Sequence, residues 1–290
     1  MKPKIGIPRP TSIRPDYNQR TWAEYTGAVA AGGAEPVAIE LGLDDEAMEA
    51  VAASCVGFML PGSPADVDPL LYDTPRLEAC GPADPARERA DYLLLAHAAR
   101  TGKPLLGICY GSQSMNAFHG GTLVQDLMPL PVNHEASKVA VAHAVLIQRG
   151  SLLGSILLGD TEAAMEATPA VGSSTPDGIL RLPVNSSHHQ ATALVGRGLR
   201  VVARCPDDEV VEAIELDPVL PLTIGDPAMA QAMFHVERPG RFLLGVQWHP
   251  ERSIAISAAS RAIFRRLTDE AIAWVVNHKQ AEADVLALDA

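Results

Sequence analysis

Two short segments carry residue types that can do chemistry together. The first is Gly107-Ile108-Cys109-Tyr110-Gly111, which follows an apolar run and leads into Ser112-Gln113-Ser114. Glycine two residues either side of a cysteine suits a sharp strand-to-helix turn that avoids side-chain clashes and leaves the sulfur exposed above a sheet. A cysteine at a helix N-terminus also lies in the positive end of the helix dipole, which favours the thiolate. The alternative is a structural cysteine buried in a glycine-rich turn. The second segment, Gln247-Trp248-His249-Pro250-Glu251, follows the apolar stretch Phe242 to Val246. In extended chain, residues i and i+2 share a side, so Glu251 can orient the His249 ring while Pro250 stiffens the link. Cys109, His249 and Glu251 together supply a nucleophile, a proton carrier and an orienting carboxylate, the set needed for thiol-based acyl transfer.

The other cysteines, Cys55, Cys80 and Cys205, form no C-x-x-C pair and no ladder of Cys/His ligands. Their spacing indicates neither a zinc site nor any other metal, and no motif asks for a cofactor. The chain has 290 residues, 47% hydrophobic and 20% charged, with a net charge of −12. That field repels polyanions, which excludes nucleic acid as a partner. No apolar run reaches the ~18 residues of a membrane span, so no membrane partner is expected. The start, Met1 to Pro8, lacks a secretory apolar core, which predicts a cytoplasmic protein without disulfides. One core can serve this length, and the expectation is a single domain over residues 1–290 with 277–290 as a frayed tail.

The elements that must position the cysteine and histidine alternate. Strands are predicted at Lys4–Pro8, Glu35–Leu41, Val56–Leu60 and Lys103–Ile108, and helices at Thr21–Gly32, Asp45–Ser54, Ala86–Arg100 and Gly111–His119. This β-α pattern predicts a doubly wound, mostly parallel α/β sheet with its chemistry at the carboxyl ends of the strands. The polar stretch Pro61–Pro85 is long for a connection, which suggests a loop at the site. Asp66, Asp68 and Tyr72 in it could meet a leaving amine, or the aspartates could simply make turns. In the second half, strands at Pro183–Ser186, Leu199–Arg204, Val210–Leu216 and Arg241–Gln247 suggest an antiparallel extension of the sheet. A helical segment at 226–234 has no clear place, and a last helix covers Ser253–Val276. His188 and His189 are adjacent and must point oppositely, so one faces the cleft and the other packs or meets solvent.

The Cys109 elbow and His249-x-Glu251 resemble the class I glutamine amidotransferase superfamily. Three further strings, Leu60 to Pro69, Gly120 to Leu127 and Val184 to Ala191, resemble its gamma-glutamyl-gamma-aminobutyrate hydrolase branch, and the likeness runs from Ile5 to about Glu251. It implies a flavodoxin-like fold and hydrolysis of a small γ-glutamyl amide through a γ-glutamyl thioester, releasing glutamate and an amine. It places an oxyanion hole at the Tyr110 N–H and the Gly62-Ser63 turn, beyond which Pro64 has no N–H to donate. It assigns Gln113, Ser187 and His188 to the α-amino and α-carboxylate ends of the glutamyl group. Two features depart from the polyamine-degrading members, Tyr110 in place of an expected Arg and a longer connection over 217–240, and they leave the amine half of the substrate open. The rival readings are a glutaminase subunit feeding ammonia to a separate synthase, and a catalytically silent binding protein on the same fold. The absence of a P-loop motif and the presence of all three triad candidates favour the hydrolase. The sequence leaves the oligomeric state open, a homo-oligomer included.

Overall fold

A computed structural model describes residues 2–137, 139–170, 178–219 and 241–288. The first half alternates as expected: β1 (Lys4–Pro8), α1 (Pro15–Ala31), β2 (Glu35–Ile39), α2 (Asp45–Ser54), β3 (Gly57–Leu60), α3 (Pro85–Thr101), β4 (Leu105–Ile108) and α4 (Tyr110–Phe118). A short pair, β5 (Leu123–Val124) and β9 (Ala191–Thr192), forms its own two-stranded sheet. The second half adds β6 (His143–Gln148), α5 (Leu152–Gly159), α6 (Thr161–Glu166), β7 (Thr168–Pro169), β8 (Ile179–Val184), β10 (Leu199–Arg204), β11 (Val211–Leu216), β12 (Leu243–Val246) and α7 (Ala258–Leu288).

The main sheet has the order β2-β1-β3-β4-β12-β11-β10-β6-β8-β7. Its first five strands are parallel, and every pairing from β12–β11 onward is antiparallel. This is the expected α/β sheet with an antiparallel extension. The central strands read as unbroken apolar runs because they are covered on both faces: Leu105, Leu106 and Ile108 of β4 are all fully buried. Among the described residues, no helix is long and apolar enough to cross a membrane.

Several boundaries move for local reasons. Helix α1 begins at Pro15 rather than Thr21, since proline is pre-set for the first helical position. Residues Pro250–Ser253 form a 3₁₀ turn, so α7 starts at Ala258 and then runs on to Leu288, past the expected end at Val276. The 226–234 segment lies outside the described residues. Asp44 caps α2 by accepting from Ala47 N at 2.9 Å, and Asp84 caps α3 while also holding Thr11 and Ser12.

Two glycines let α4 and its turn sit tight on the sheet. A Cβ on Gly111 would overlap the Leu60 carbonyl at the end of β3, and one on Gly245 of β12 would come within 2.6 Å of Met115 Cε on α4. The helix following Cys109 is thereby seated over β3, β4 and β12, whose carboxyl ends carry the residues described below. Gly111→Ala is expected to destabilise the protein by about 3 kcal/mol, because backbone must shift to admit the methyl. Gly27→Ala, on an open position of α1, should instead add up to about 1 kcal/mol. Urea unfolding of the pair checks both signs.

Candidate active site

The site is built from the carboxyl ends of three neighbouring parallel strands. Cys109 follows β4 with φ 51° and ψ −109°, the left-handed backbone of a strained elbow. Its N–H donates to Val246 O at 2.8 Å, which ties the elbow to β12. A Cβ on Gly107 would sit 2.8 Å from the Gly111 carbonyl group, so both glycines of the motif are required by the sharpness of the turn. The sequence expectation of a sulfur exposed above the sheet is corrected here: Cys109 is only 5% exposed.

His249 follows β12. Its Nδ1 lies 2.7 Å from Glu251 Oε1, and its Nε2 has no hydrogen-bond partner. The backbone of His249 is clamped from the other half of the sheet by Asn185, whose Oδ1 accepts from His249 N at 2.9 Å and whose Nδ2 donates to His249 O at 2.8 Å. Gly62, after β3, completes the group: a Cβ there would stand 2.8 Å from His249 Cε1 and 3.6 Å from Cys109 Cβ. Glycine 62 thus leaves room for the histidine ring beside the elbow. Next to it, Ser63 Oγ accepts from Ala65 N at 3.1 Å and fixes the turn.

Burial governs the electrostatics. Desolvation pushes the Cys109 thiol up to about 12, against the opposing pull of Arg252 and of the Tyr110 N–H, which points at the sulfur. The expected resting thiolate is therefore corrected, because loss of water around the sulfur outweighs the helix N-terminus. Burial likewise lowers the His249 imidazole below its usual value despite Glu251. The resting pair is a neutral thiol and a neutral imidazole. With the Nδ1 proton held by the Glu251 carboxylate, the lone pair falls on the free Nε2.

The predicted substrate residues divide. Gln113 is buried on α4, and its Nε2 is committed to Gln190 O at 2.9 Å and Gln247 Oε1 at 3.3 Å. Ser187 is half-buried in the 185–190 loop. His188 points inward, with Nδ1 on Gln190 O at 3.0 Å and Nε2 3.6 Å from Glu212 Oε1, so it does not present its ring to a ligand of Cys109. His189 points the other way, onto Asp66 Oδ1 at 2.9 Å. Asp66 also accepts from Gly81 N at 2.6 Å, and Asp68 accepts from Leu70 N at the start of a 3₁₀ turn. Both aspartates therefore organise the 61–85 loop, and Tyr72 is buried in it with its hydroxyl unpartnered.

Other residues were invisible to spacing arguments. Arg87 of α3 is fully buried, bonding Asp91 Oδ1 at 2.7 Å, Pro10 O at 2.7 Å and Pro61 O at 2.6 Å, with its guanidinium 4.8 Å over the Tyr110 ring. It anchors the chain directly before the Gly62 turn. Arg252 lies 3.5 Å from Glu251 Oε1 and remains partly exposed near the sulfur. Nothing in the sequence marked either arginine. A separate buried group, His134, His143, His188 and Glu212, gathers donor atoms suited to a metal.

Comparison with known proteins places the chain in a family. The family description Peptidase C26 matches residues 9–224. A Mycobacterium tuberculosis protein named "Putative glutamine amidotransferase Rv2859c" is 30% identical, over 89% of this chain and 69% of its own length. The Escherichia coli K12 protein named "Gamma-glutamyl-gamma-aminobutyrate hydrolase PuuD" is 29% identical, over 90% of this chain and 91% of its own. A solved structure from Thermoplasma acidophilum, described as a "putative gmp synthase subunit a protein", shares the fold with a TM-score of 0.57 at 13% identity, covering 96% of this chain and 98% of that one.

The neutral resting pair has a direct chemical signature. In the free protein, alkylation of Cys109 by iodoacetamide should be slow at pH 7 and climb with pH without a plateau below about pH 10. Peptide mass spectrometry of labelling across pH 6–10 checks this, and a plateau with an apparent pKa below 8 would show a preformed thiolate instead.

Proposed function

Because the chain belongs to the Peptidase C26 family, in the gamma-glutamyl-gamma-aminobutyrate hydrolase-like branch of the class I glutamine amidotransferase superfamily, we propose that it is a cysteine hydrolase of small γ-glutamyl amides. The observation that carries this reading is the His249 ring. Its Nδ1 is held by Glu251, its Nε2 is unpartnered, and Gly62 separates it only narrowly from the cysteine elbow.

In this mechanism the γ-carbonyl of the substrate enters beside Cys109 and displaces water. As sulfur attacks the carbonyl carbon, the thiol proton passes to His249 Nε2, and Glu251 stabilises the imidazolium that forms. Thiolate is thus generated only when it is used, which suits a thiol that burial holds protonated at rest. The negative oxygen of the tetrahedral intermediate is received by backbone N–H groups at Tyr110 and in the Gly62-Ser63 turn. Collapse breaks the C–N bond as His249 returns its proton to the departing amine, leaving a γ-glutamyl thioester. Water then attacks with His249 as base, and glutamate leaves with the thiol restored.

Polar atoms without partners suit a zwitterionic glutamyl group. Gln247 Nε2, Gln190 Oε1 and Tyr25 Oη are buried and unpaired, and Gln247 neighbours Gln113. Such groups are costly to leave empty of partners, so a ligand that bonds them is favoured by their desolvation already being spent. Of the predicted substrate residues, Ser187 and Gln113 stay in this role, whereas His188 acts through the loop it anchors. The 61–85 loop, clasped to His189 through Asp66, would bound the amine half.

Incubated with a panel of γ-glutamyl amides that includes glutamine, without ATP or a partner protein, the enzyme should release glutamate and free amine in equal amounts, with a γ-glutamyl adduct on Cys109 trapped by acid quench. His249→Ala should lower kcat by about 10³-fold or more, Glu251→Gln by less, and Cys109→Ala should abolish turnover while leaving the fold intact. Turnover of glutamine alone, and only once a synthase is added, would establish the glutaminase-subunit reading. Absence of any adduct on Cys109 across the panel would leave a binding protein.

A further inference from the structure

A second polar cluster lies beside the catalytic residues, and the mechanism does not use it. Glu212 on β11 is fully buried and faces three buried imidazoles: His134 from the loop before β6, His143 at the start of β6, and His188 from the loop after β8. Glu212 Oε1 lies 3.3 Å from His134 Nδ1, 3.4 Å from His143 Nε2 and 3.6 Å from His188 Nε2. None of these four atoms has a hydrogen-bond partner, and neither has Glu212 Oε2.

The outer nitrogens fix what the inner ones are. His143 Nδ1 lies 3.2 Å from Ala144 O and His188 Nδ1 3.0 Å from Gln190 O, and a carbonyl oxygen can only accept, so both Nδ1 atoms carry the proton. His134 Nε2 lies 2.9 Å from the Asp208 carboxylate, which likewise takes its N–H. When the three rings are neutral, as ligands of a metal must be, these contacts leave three lone pairs converging on a carboxylate oxygen. Lone pairs and an anion repel, so the four groups together call for a positive charge at their centre.

Both the geometry and the surroundings point to the missing charge. Bonds of ~2.05 Å from zinc to imidazole nitrogen and carboxylate oxygen give a tetrahedral ligand–ligand edge of about 3.3 Å, close to the three separations from Glu212 Oε1, and all four donor atoms lie within 4.8 Å of one another. Histidines that hold a metal commonly donate their other N–H to a carboxylate or backbone carbonyl, which fixes tautomer and ring orientation. All three histidines here do so. Imidazole and carboxylate donors also suit zinc. A cavity of about 570 Å³ lined in part by Asn133, His143, Arg181 and Asp207 reaches one of the four proposed ligands.

We propose that His134, His143, His188 and Glu212 form a tetrahedral zinc site that holds the 185–190 loop in register with the catalytic strand. Four separate pieces of chain meet there. His188 N donates to His134 O at 2.9 Å, Ser186 Oγ donates to the same oxygen at 2.7 Å, and Gln247 N donates to Glu212 O at 2.8 Å. Asn185, which clamps the His249 backbone, begins this loop. The ion is thus a positioning element that touches neither substrate nor sulfur. The sequence reading, which looked for metal in cysteine spacing, had no means of joining residues 134, 143, 188 and 212.

The test is metal analysis of the full chain purified without chelators from zinc-containing medium. One zinc per chain is expected in the wild type and in Cys109→Ala, and less than a tenth in Glu212→Gln and His143→Asn. Chelator-dialysed wild type, which does not depend on those variants folding, should gain about 4 °C in Tm when zinc is restored at a hundredfold excess over its Kd. Cobalt(II) in its place should give the intense visible bands of tetrahedral coordination. The proposal is overturned if the wild type holds less than a tenth of an equivalent and neither zinc nor cobalt changes Tm or absorption. It is equally overturned if Cys109→Ala loses the zinc, since the ion then sits at the catalytic thiol.

Discussion

Removal of water from the cysteine and histidine is the constraint around which the remainder of the site is arranged. With Cys109 at 5% exposure and His249 at 1%, neither group gains solvation from ionising, so the neutral forms prevail at rest. A neutral imidazole has two tautomers, and Glu251 selects the one that leaves the Nε2 lone pair free. In the proposed mechanism an anionic intermediate in the same dry space needs donors already in place, and turns pinned from behind can offer them without rearrangement. Arg87 meets this need at a distance from the sulfur. It bonds the carbonyls of Pro10 and Pro61 at once, so the segment entering the Gly62 turn is held by a buried charge that Asp91 balances.

The parallel half of the sheet would be a weaker scaffold on its own. Cys109, Gly62 and His249 come from β4, β3 and β12, yet the His249 backbone is fixed by Asn185, which follows an antiparallel strand three places further along the sheet from β12 than β10's neighbour β11. A hydrogen bond at each end of one amide side chain matches the histidine as a strand partner would. The antiparallel extension therefore serves to fix the position of His249.

What the sequence disclosed followed from locality. The Gly107–Gly111 elbow and His249-Pro250-Glu251 each place their consequence within four residues, where backbone sterics and i, i+2 geometry decide the outcome. The alternating first half was legible for the same reason, its apolar runs being set by burial on both faces. The exposure of the sulfur was not, because the Gly62 turn that closes on Cys109 is distant in sequence. Arg87 and Asn185 are polar residues whose roles depend on which carbonyls the fold brings within 3 Å. Strand β6 and helices α5 and α6 went unread because the second half lacks the regular alternation that marks a doubly wound unit.

The adjacent histidines show how one rule can be right and still leave the role open. Alternation in extended chain sends His188 and His189 to opposite sides, as it must. The rule says nothing of what waits on either side. Inward, three other buried ligand-type residues meet His188; outward, His189 meets Asp66, whose side-chain hydrogen bond raises the imidazole's affinity for its proton. Because that pKa is raised in the folded protein, the His189–Asp66 clasp contributes its full stability below the ordinary histidine range and loses it as pH climbs through the raised value. The 61–85 loop is therefore tied most firmly at mildly acidic pH, whereas the neutral form of His249 persists to lower pH than that of an ordinary histidine, since its own pKa is shifted down. The two histidines are displaced in opposite directions by opposite causes, a carboxylate for one and burial for the other, and between them lies a pH interval in which the loop is clasped while His249 is neutral.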